Sequence, residues 1–183
     1  MHRALTGARR SPKAWTRENG RVIVEIMPTS AEDEAAQGIY RFYDALDQCL
    51  RGKTEPMAEA WHHVDYATTV HPFGHWARGW TEVWATWQEI AAVFGIYKGH
   101  ENRTDRISGI SDLKIGLLGD AAYGASVFES KLLLASGPLM LHVNCTNVVH
   151  KLGGVWKVVH HHPDQAPPDW VAAIGRMVQA GHS

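Results

Sequence analysis

The chain has little cysteine and no long apolar run. Its two cysteines, Cys49 and Cys145, stand in neither a CxxC pair nor a zinc-binding spacing, which predicts two buried, reduced thiols. A membrane helix needs about 20 consecutive apolar residues, and the sequence has no such run. No apolar stretch follows Arg9 and Arg10, so a signal peptide is not indicated, and we expect a cytoplasmic protein without a membrane partner.

An excess of one charge is also missing. The formal net charge is −1, whereas a nucleic-acid-binding domain is usually basic, so we expect no nucleic-acid partner. Residues 1–29 carry six basic and two acidic side chains. A basic segment this short is typical of a solvated tail, and we interpret it as an N-terminal extension in which 21–27 either forms a short strand or stays loose.

Several catalytic motifs are absent. The sequence has no Gly-x-Ser-x-Gly elbow, phosphate-binding loop or dinucleotide fingerprint, which argues against the corresponding hydrolases, nucleotide enzymes and dehydrogenases. We therefore expect no cofactor. His160 and His162 form a possible metal-binding pair, but the sequence lacks the glutamate and further histidine that accompany such pairs in cupin-like barrels. No metal site is predicted.

Aromatic and apolar residues are plentiful. Apolar residues make up 45% of the chain and eight are tryptophans, which indicates an aromatic-rich core or pocket. Helical spacing of apolar residues predicts helices over about 31–50, 55–62 and 80–94. Trp80, Trp84 and Trp87 follow this spacing in the third helix, a stripe that is more typical of a core than of a cofactor site.

The second half of the chain is typical of β-structure. Strands are predicted over about 66–71, 103–118, 122–134, 139–152 and 155–162. Short turns join the last four, so they pair as an antiparallel meander, and a doubly wound parallel sheet is excluded. The fold class is therefore α+β. One face of the sheet packs on the helices, and the other faces water or a partner, so we expect a homodimer formed through the sheet.

Three stretches resemble a known family. They are FYDAL at 42–46, TVHPFG at 69–74, and LGDAA at 118–122 with TNV at 146–148 and GGVWKVVHHH at 153–162. Together they resemble a SnoaL-like domain of the nuclear transport factor 2-like superfamily. The resemblance implies a cone-shaped, curved antiparallel sheet wrapped around three helices of the N-terminal half, an apolar pocket at its open end, and dimers.

The resemblance divides the chain into three parts but does not select one activity. The N-terminal extension covers 1–29, the SnoaL-like domain 30–168 and a C-terminal helical tail 169–183. Similar domains act as ketosteroid isomerases, polyketide cyclases and dehydratases, and others only bind ligands or assemble a calmodulin-dependent kinase. Because a fold hosts many functions, the activity has to be argued from the site.

Two residues are candidates for catalysis. His71 lies where similar ketosteroid isomerases carry an aspartate base before a proline, and a histidine with an ordinary pKa of about 6.5 can accept a proton near neutral pH. The alternative is a ring that only hydrogen-bonds the turn. Tyr43, or its neighbour Phe42, matches a helix-one tyrosine that donates to a substrate oxyanion. The alternative for Tyr43 is ordinary core packing.

Further residues are candidates for binding a small apolar molecule. Trp61, Phe73 and Trp84 would supply an apolar wall. A polar set, His142, Asn144 and Thr146, alternates along one strand and lines either a wet pocket or a dimer interface. In the last strand, the alternation predicts that His160 and His162 share a face with Trp156 and Val158, and His160 is a further binding candidate.

Two hypotheses about function follow. In the first, the protein is a cofactor-free isomerase, cyclase or dehydratase in which His71 removes a proton next to a carbonyl and Tyr43 stabilises the enolate. In the second, it is a non-catalytic ligand-binding or dimerisation module, because the isomerase aspartate is replaced by His71.

Overall fold

The protein was analysed as a computed structural model that describes residues 14–18, 21–25, 30–72, 76–95, 108–134, 137–172 and 175. The first two segments are the strands β1 (Ala14–Glu18) and β2 (Arg21–Glu25), which pair antiparallel as a separate two-stranded sheet. The N-terminal extension therefore contains a hairpin, and the strand considered for 21–27 is its second arm.

Three helices follow, close to the predicted positions: α1 (Ala31–Cys49), α2 (Glu55–Ala60) and α3 (Trp80–Gly95). Ser30 caps α1, because its side-chain oxygen accepts a hydrogen bond from the Asp33 amide at 3.1 Å and so satisfies an otherwise unpaired N–H group. Helix α2 ends before the predicted His62 because Trp61 adopts an extended backbone and forms a bridge to Val158.

The main sheet has six strands in the order β4-β3-β8-β7-β6-β5. Their bounds are β3 (Thr68–Val70), β4 (Trp76–Arg78), β5 (Ser108–Leu118), β6 (Ala121–Leu134), β7 (Gly137–Leu152) and β8 (Val155–Pro163). The last four strands form the predicted antiparallel meander. The predicted strand over 66–71 shrinks to β3, and β4 is an additional strand in the connection to α3.

The sheet is mixed, and this corrects the expectation of a purely antiparallel sheet. Strand β3 pairs in parallel with β8, where Thr68 lies opposite His160 and Thr69 opposite His161. Strand β4 then continues the sheet antiparallel to β3. A parallel pair requires a long crossover, which here contains α3 and the whole meander, so local sequence patterns do not reveal it.

A β-bulge in β8 reverses the predicted direction of its histidines. Val148 lies opposite His160 and Val149 opposite Val158, so Val159 is one residue too many for the ladder. Such an extra residue shifts every following side chain to the other face. His161 is therefore buried, whereas His160 is half-buried and His162 exposed. The predicted shared face of His160 and His162 with Trp156 and Val158 is wrong.

The core lies between the helices and one face of the sheet and is rich in aromatic rings. Phe42 of α1 contacts Trp61 and Trp87 edge-on, with ring centroids 6.0 and 5.8 Å apart. Cys49 and Cys145 are buried and unpaired, as predicted, and burial raises the pKa of each thiol to about 12. Among the described residues, no helix is long and apolar enough to span a membrane.

Candidate functional site

A cavity of about 60 Å³ lies between α1, α3, the sheet and the segment that follows β8. Most of its wall is aliphatic or aromatic, with Leu46, Leu141 and Phe94 among the lining residues. The titratable side chains among the described lining residues are His71 and His161. A mainly apolar cavity with a few polar groups is the usual form of a small-molecule site.

His71 follows β3 and is buried at the cavity wall. Its Nε2 lies 2.8 Å from Thr86 Oγ1, and the Thr86 hydroxyl donates to the Val83 carbonyl at 2.8 Å. Because the Thr86 hydroxyl donates its hydrogen to the Val83 carbonyl, the Thr86 oxygen accepts a hydrogen bond from His71. Nε2 of His71 therefore carries the ring hydrogen. In the neutral ring, Nδ1 then holds the lone pair, which gives His71 a basic nitrogen in a fixed tautomer.

His161 is the second histidine of the cavity, and it is held by a buried network. Its Nδ1 lies 2.8 Å from Asn147 Oδ1, and Asn147 Nδ2 donates to the Tyr43 hydroxyl at 2.8 Å. An amide oxygen only accepts, so His161 donates through Nδ1. Burial, and next the charge that His71 can carry, hold the pKa of His161 well below its usual value, so this ring is neutral at pH 7.

Tyr43 supports this network from outside the cavity. It is buried on α1, stacks on Phe128 with centroids 5.9 Å apart, and is not among the described residues that line the cavity. Burial raises the pKa of its phenol far above the usual value, so it stays protonated. Tyr43 borders instead a separate open groove of about 500 Å³ with Asp44 and Lys131. Its geometry fits a residue that orients His161 through Asn147.

The predicted apolar wall is only partly where it was expected. Trp61 is fully buried in the core, 6.2 Å from Trp87 between ring centroids, and Trp84 is half-buried and stacked on Trp80 at 5.5 Å. Neither is among the described lining residues, and Phe73 lies outside the described residues. Trp87, the third member of the predicted stripe, does line the cavity.

The predicted polar set of β7 lies on the outer face of the sheet. His142, Asn144 and Thr146 are exposed, and Asn144 donates to the Asp164 carboxylate at 2.7 Å. The inward residues of β7 have odd numbers, so they do not include this set. His160 also belongs to the outer side, where its Nδ1 lies 2.8 Å from the hydroxyl of Thr68. Of the predicted site residues that the structure describes, only His71 lines the cavity.

Sequence reasoning missed four residues of the site: Thr86, Asn147, His161 and Trp170. Asn147 alternates with Val143, Cys145 and Val149, a pattern that would have placed it inward. The bulge places His161 on the inward face, which the alternation along β8 does not predict. Trp170 belongs to a tail whose position no periodicity indicates. Among the described residues, no group of three or more metal-binding side chains is close enough to hold a metal ion.

Helices packed on a six-stranded mixed sheet form an α+β protein with the nuclear transport factor 2-like fold. The family model of the SnoaL-like domain matches residues 39–163, which is more than half of the chain. The chain belongs to this family. No curated protein matches it in sequence.

Solved structures share the fold at low sequence identity. A candidate dehydratase of the NTF2-like family from Streptomyces avermitilis is 21% identical, covers 73% of this chain and 94% of its own, and has a TM-score of 0.57. A candidate ketosteroid isomerase from Shewanella frigidimarina is 18% identical, with coverages of 72% and 94% and a TM-score of 0.54. The CaMKII hub of S. rosetta is 15% identical, with coverages of 77% and 100% and a TM-score of 0.54.

Proposed function

We propose that the protein is a cofactor-free isomerase, cyclase or dehydratase that removes a proton next to a carbonyl group of a small, mainly apolar substrate. The observation that carries the proposal is the placement of two histidines, His71 and His161, on the wall of a mainly apolar cavity. Hydrogen bonds of 2.8 Å to Thr86 and Asn147 hold the two rings, and a fixed ring is what general base catalysis requires.

His71 is the general base in this proposal. Its Nδ1 takes the proton from the carbon next to the carbonyl, and the electron pair of that C–H bond moves toward the carbonyl oxygen to form an enolate. Return of the proton to another carbon completes an isomerisation. In a dehydration, the enolate re-forms the carbonyl and expels a hydroxyl from the next carbon, which takes the proton held by His71 and leaves as water. Thr86 keeps the Nε2 hydrogen away from the reacting side of the ring.

Trp87 takes the role of oxyanion donor that was expected of Tyr43. Its indole N–H is buried without a hydrogen-bond partner among the described residues, and its ring lines the cavity 4.6 Å from the His71 ring centroid. A buried donor aimed at developing negative charge stabilises an enolate strongly. His161 gives its hydrogen to Asn147, so its Nε2 is suited to accept from a substrate hydroxyl.

The experiment follows proton exchange without requiring the natural substrate. Small cyclic ketones are incubated with the protein in heavy water, and deuterium incorporation at the carbon next to the carbonyl is measured by NMR. We expect His71→Ala to slow exchange about 100-fold or more, the usual contribution of a general base. His142→Ala is the matched control, since this histidine is exposed on the outer face. Equal exchange by the wild type and His71→Ala would sink the proposal.

A second candidate is a non-catalytic ligand-binding or assembly module. The cavity of about 60 Å³ is small beside the roughly 300–1,000 Å³ of typical ligand sites. A ligand-binding module would bind an enolate analogue such as β-naphthol with similar affinity in the wild type and His71→Ala. For the enzyme we expect weaker binding in the variant.

We also propose that the protein forms a homodimer through the outer face of the sheet.

A further inference from the structure

The segment after β8 places one large side chain in the cavity wall. Residues 164–172 are exposed except for Ala166 and Trp170. Trp170 is only 2% exposed and lines the cavity together with His71, His161 and Trp87. Within 164–172, Trp170 is therefore the one large side chain that is buried against the domain.

Among the described residues, hydrogen bonds hold this segment against the domain at Asp164 and Ala166. The Asp164 amide donates to the Asn144 carbonyl at 2.8 Å, and the Asn144 side-chain amide donates to the Asp164 carboxylate at 2.7 Å. The Ala166 amide donates to the Pro72 carbonyl at 2.9 Å, directly beside His71. Segments with few buried contacts and exposed backbone open at the lowest free-energy cost. Beyond Ala166, the described contact of the segment with the domain is the buried Trp170 ring.

The Trp170 ring is itself imperfectly satisfied in the cavity wall. Its indole N–H is buried and has no hydrogen-bond partner among the described residues, a state that costs free energy. The space that remains beside the ring is about 60 Å³, which suits a few atoms and not a whole organic ligand. The planar bicyclic ring of Trp170 thus lines the same small cavity as His71 and His161.

We propose that Trp170 is a displaceable occupant of the ligand site, and that the ligand is a planar aromatic molecule of about two fused rings carrying an oxygen. Such a ligand takes the place of the Trp170 indole, and its oxygen hydrogen-bonds to His71 or His161. Segment 164–172 then detaches from Pro72. The inference rests on the proposed function only in using the same cavity, because displacement requires binding and not turnover.

The decisive measurement uses the wild-type protein, because any cavity created by truncation can take up an aromatic molecule. β-Naphthol is titrated, and amide hydrogen exchange is followed across 164–172 with and without it. We expect the Ala166 amide to exchange about tenfold faster or more when the ligand is bound, since it loses the Pro72 carbonyl. Binding of β-naphthol with unchanged or slower exchange at this amide would overturn the proposal.

Two variants separate displacement from other outcomes. Trp170→Ala should bind β-naphthol about tenfold tighter or more, because a ligand no longer competes with a state that occludes the site. The matched control is Trp84→Ala, which removes a half-buried tryptophan that is not among the described lining residues, and its affinity should equal that of the wild type. If β-naphthol binds to Trp170→Ala but not to the wild type, Trp170 blocks the site permanently, and displacement is refuted.

The result is distinguishable from failure of the proposed function. If no ketone exchanges deuterium but β-naphthol accelerates exchange at Ala166, catalysis is refuted and the displaceable tryptophan stands. If His71→Ala abolishes ketone exchange while Ala166 stays protected on ligand binding, the enzyme stands and the displacement is refuted. A Trp170→Ala protein that does not fold leaves the wild-type measurement to decide.

Discussion

At the scale of single residues, Asn147 joins the helical and sheet layers behind the site. It accepts from His161 on β8 and donates to Tyr43 on α1, and all three side chains are buried. Neither partner is the residue that we propose to react. Asn147 is therefore a positioning residue, and its loss should appear first in stability.

Replacement of Asn147 tests this role. Asn147→Ala removes the acceptor of the His161 N–H and one donor to the Tyr43 hydroxyl, and an unsatisfied buried group costs about 1–3 kcal/mol. We expect the free energy of unfolding to fall by about that amount in urea titration. Asn144→Ala, an exposed asparagine on the same strand, should change it by less than about 0.5 kcal/mol. Equal effects of the two changes would contradict the buried network.

His161 also predicts how stability depends on pH. Its folded pKa is depressed by burial, while the unfolded chain titrates near about 6.5. Below that pH, His161 binds a proton in the unfolded state but not in the folded state. The free energy of unfolding therefore falls as pH drops from 7 to 5, by up to about 1.4 kcal/mol per pH unit for this residue.

His160 and His62 have pKa values lowered mainly by burial and add in the same direction, though less, because both are partly exposed. We expect urea titrations at several pH values to show a shallower slope for His161→Gln than for the wild type. His142→Gln serves as the control, since His142 is exposed. A slope that His161→Gln leaves unchanged would mean that this histidine is not held neutral in the core.

At the scale of elements, regular structure could be predicted and its interruptions could not. Apolar periodicity predicted α1 and α3 to within one residue at each end, because long amphipathic segments repeat their signal. Strand β4 has three residues, too few to show a period. The bulge at Val159 is a single extra residue between Val158 and His160, and it decided which histidine faces the cavity.

The same limit explains the outcome at β7. Alternation correctly grouped His142, Asn144 and Thr146 on one face, because the pleat has a strict period of two. The mostly apolar opposite set, Leu141, Val143, Cys145 and Val149, indicates that its own face is the inward one and that the polar set faces outward. The buried partner of Asn147 lies on a strand whose register is shifted by the bulge, so the network could not be read from either strand alone.

The packing of α1 on β6 leads to a prediction about one glycine. A Cβ atom added at Gly124 would lie 2.3 Å from Ile39 Cδ1, so Gly124→Ala should lower the free energy of unfolding by about 1–3 kcal/mol through overpacking. Ile39→Val removes the clashing atom. The double variant should therefore lose less than the sum of the single changes.

Gly109→Ala on β5 is the matched control for this pair, because nothing lies within 4 Å of its added Cβ. Denaturant titration of the wild type, Gly124→Ala, Ile39→Val and the double variant gives the coupling free energy between the two positions. Strictly additive effects of Gly124→Ala and Ile39→Val would show that the helix and the strand do not meet at this point.

At the scale of the whole molecule, the site is assembled from distant parts of the chain. His71 follows β3, and His161 lies on β8, the parallel partner of β3. Trp87 comes from α3, and Trp170 from the segment after β8. The family resemblance predicted the fold, since a motif carries the fold of its relatives. It could not predict this combination, because the pairing of β3 with β8 joins residues about ninety positions apart.

The outer face of the sheet carries the remaining prediction, a homodimer. Tyr123 on β6 is 44% exposed on this face, and Tyr40 on α1 is 49% exposed on the helical side, so the two tyrosines form a matched pair. A stable interface buries roughly 1,200–2,000 Å², and a charge without a partner at its centre is costly. We expect the wild type and Tyr40→Arg to sediment as dimers at micromolar concentration and Tyr123→Arg as a monomer with the same circular dichroism spectrum. A wild-type monomer, or a dimer broken by Tyr40→Arg and not by Tyr123→Arg, would exclude the sheet face as the interface.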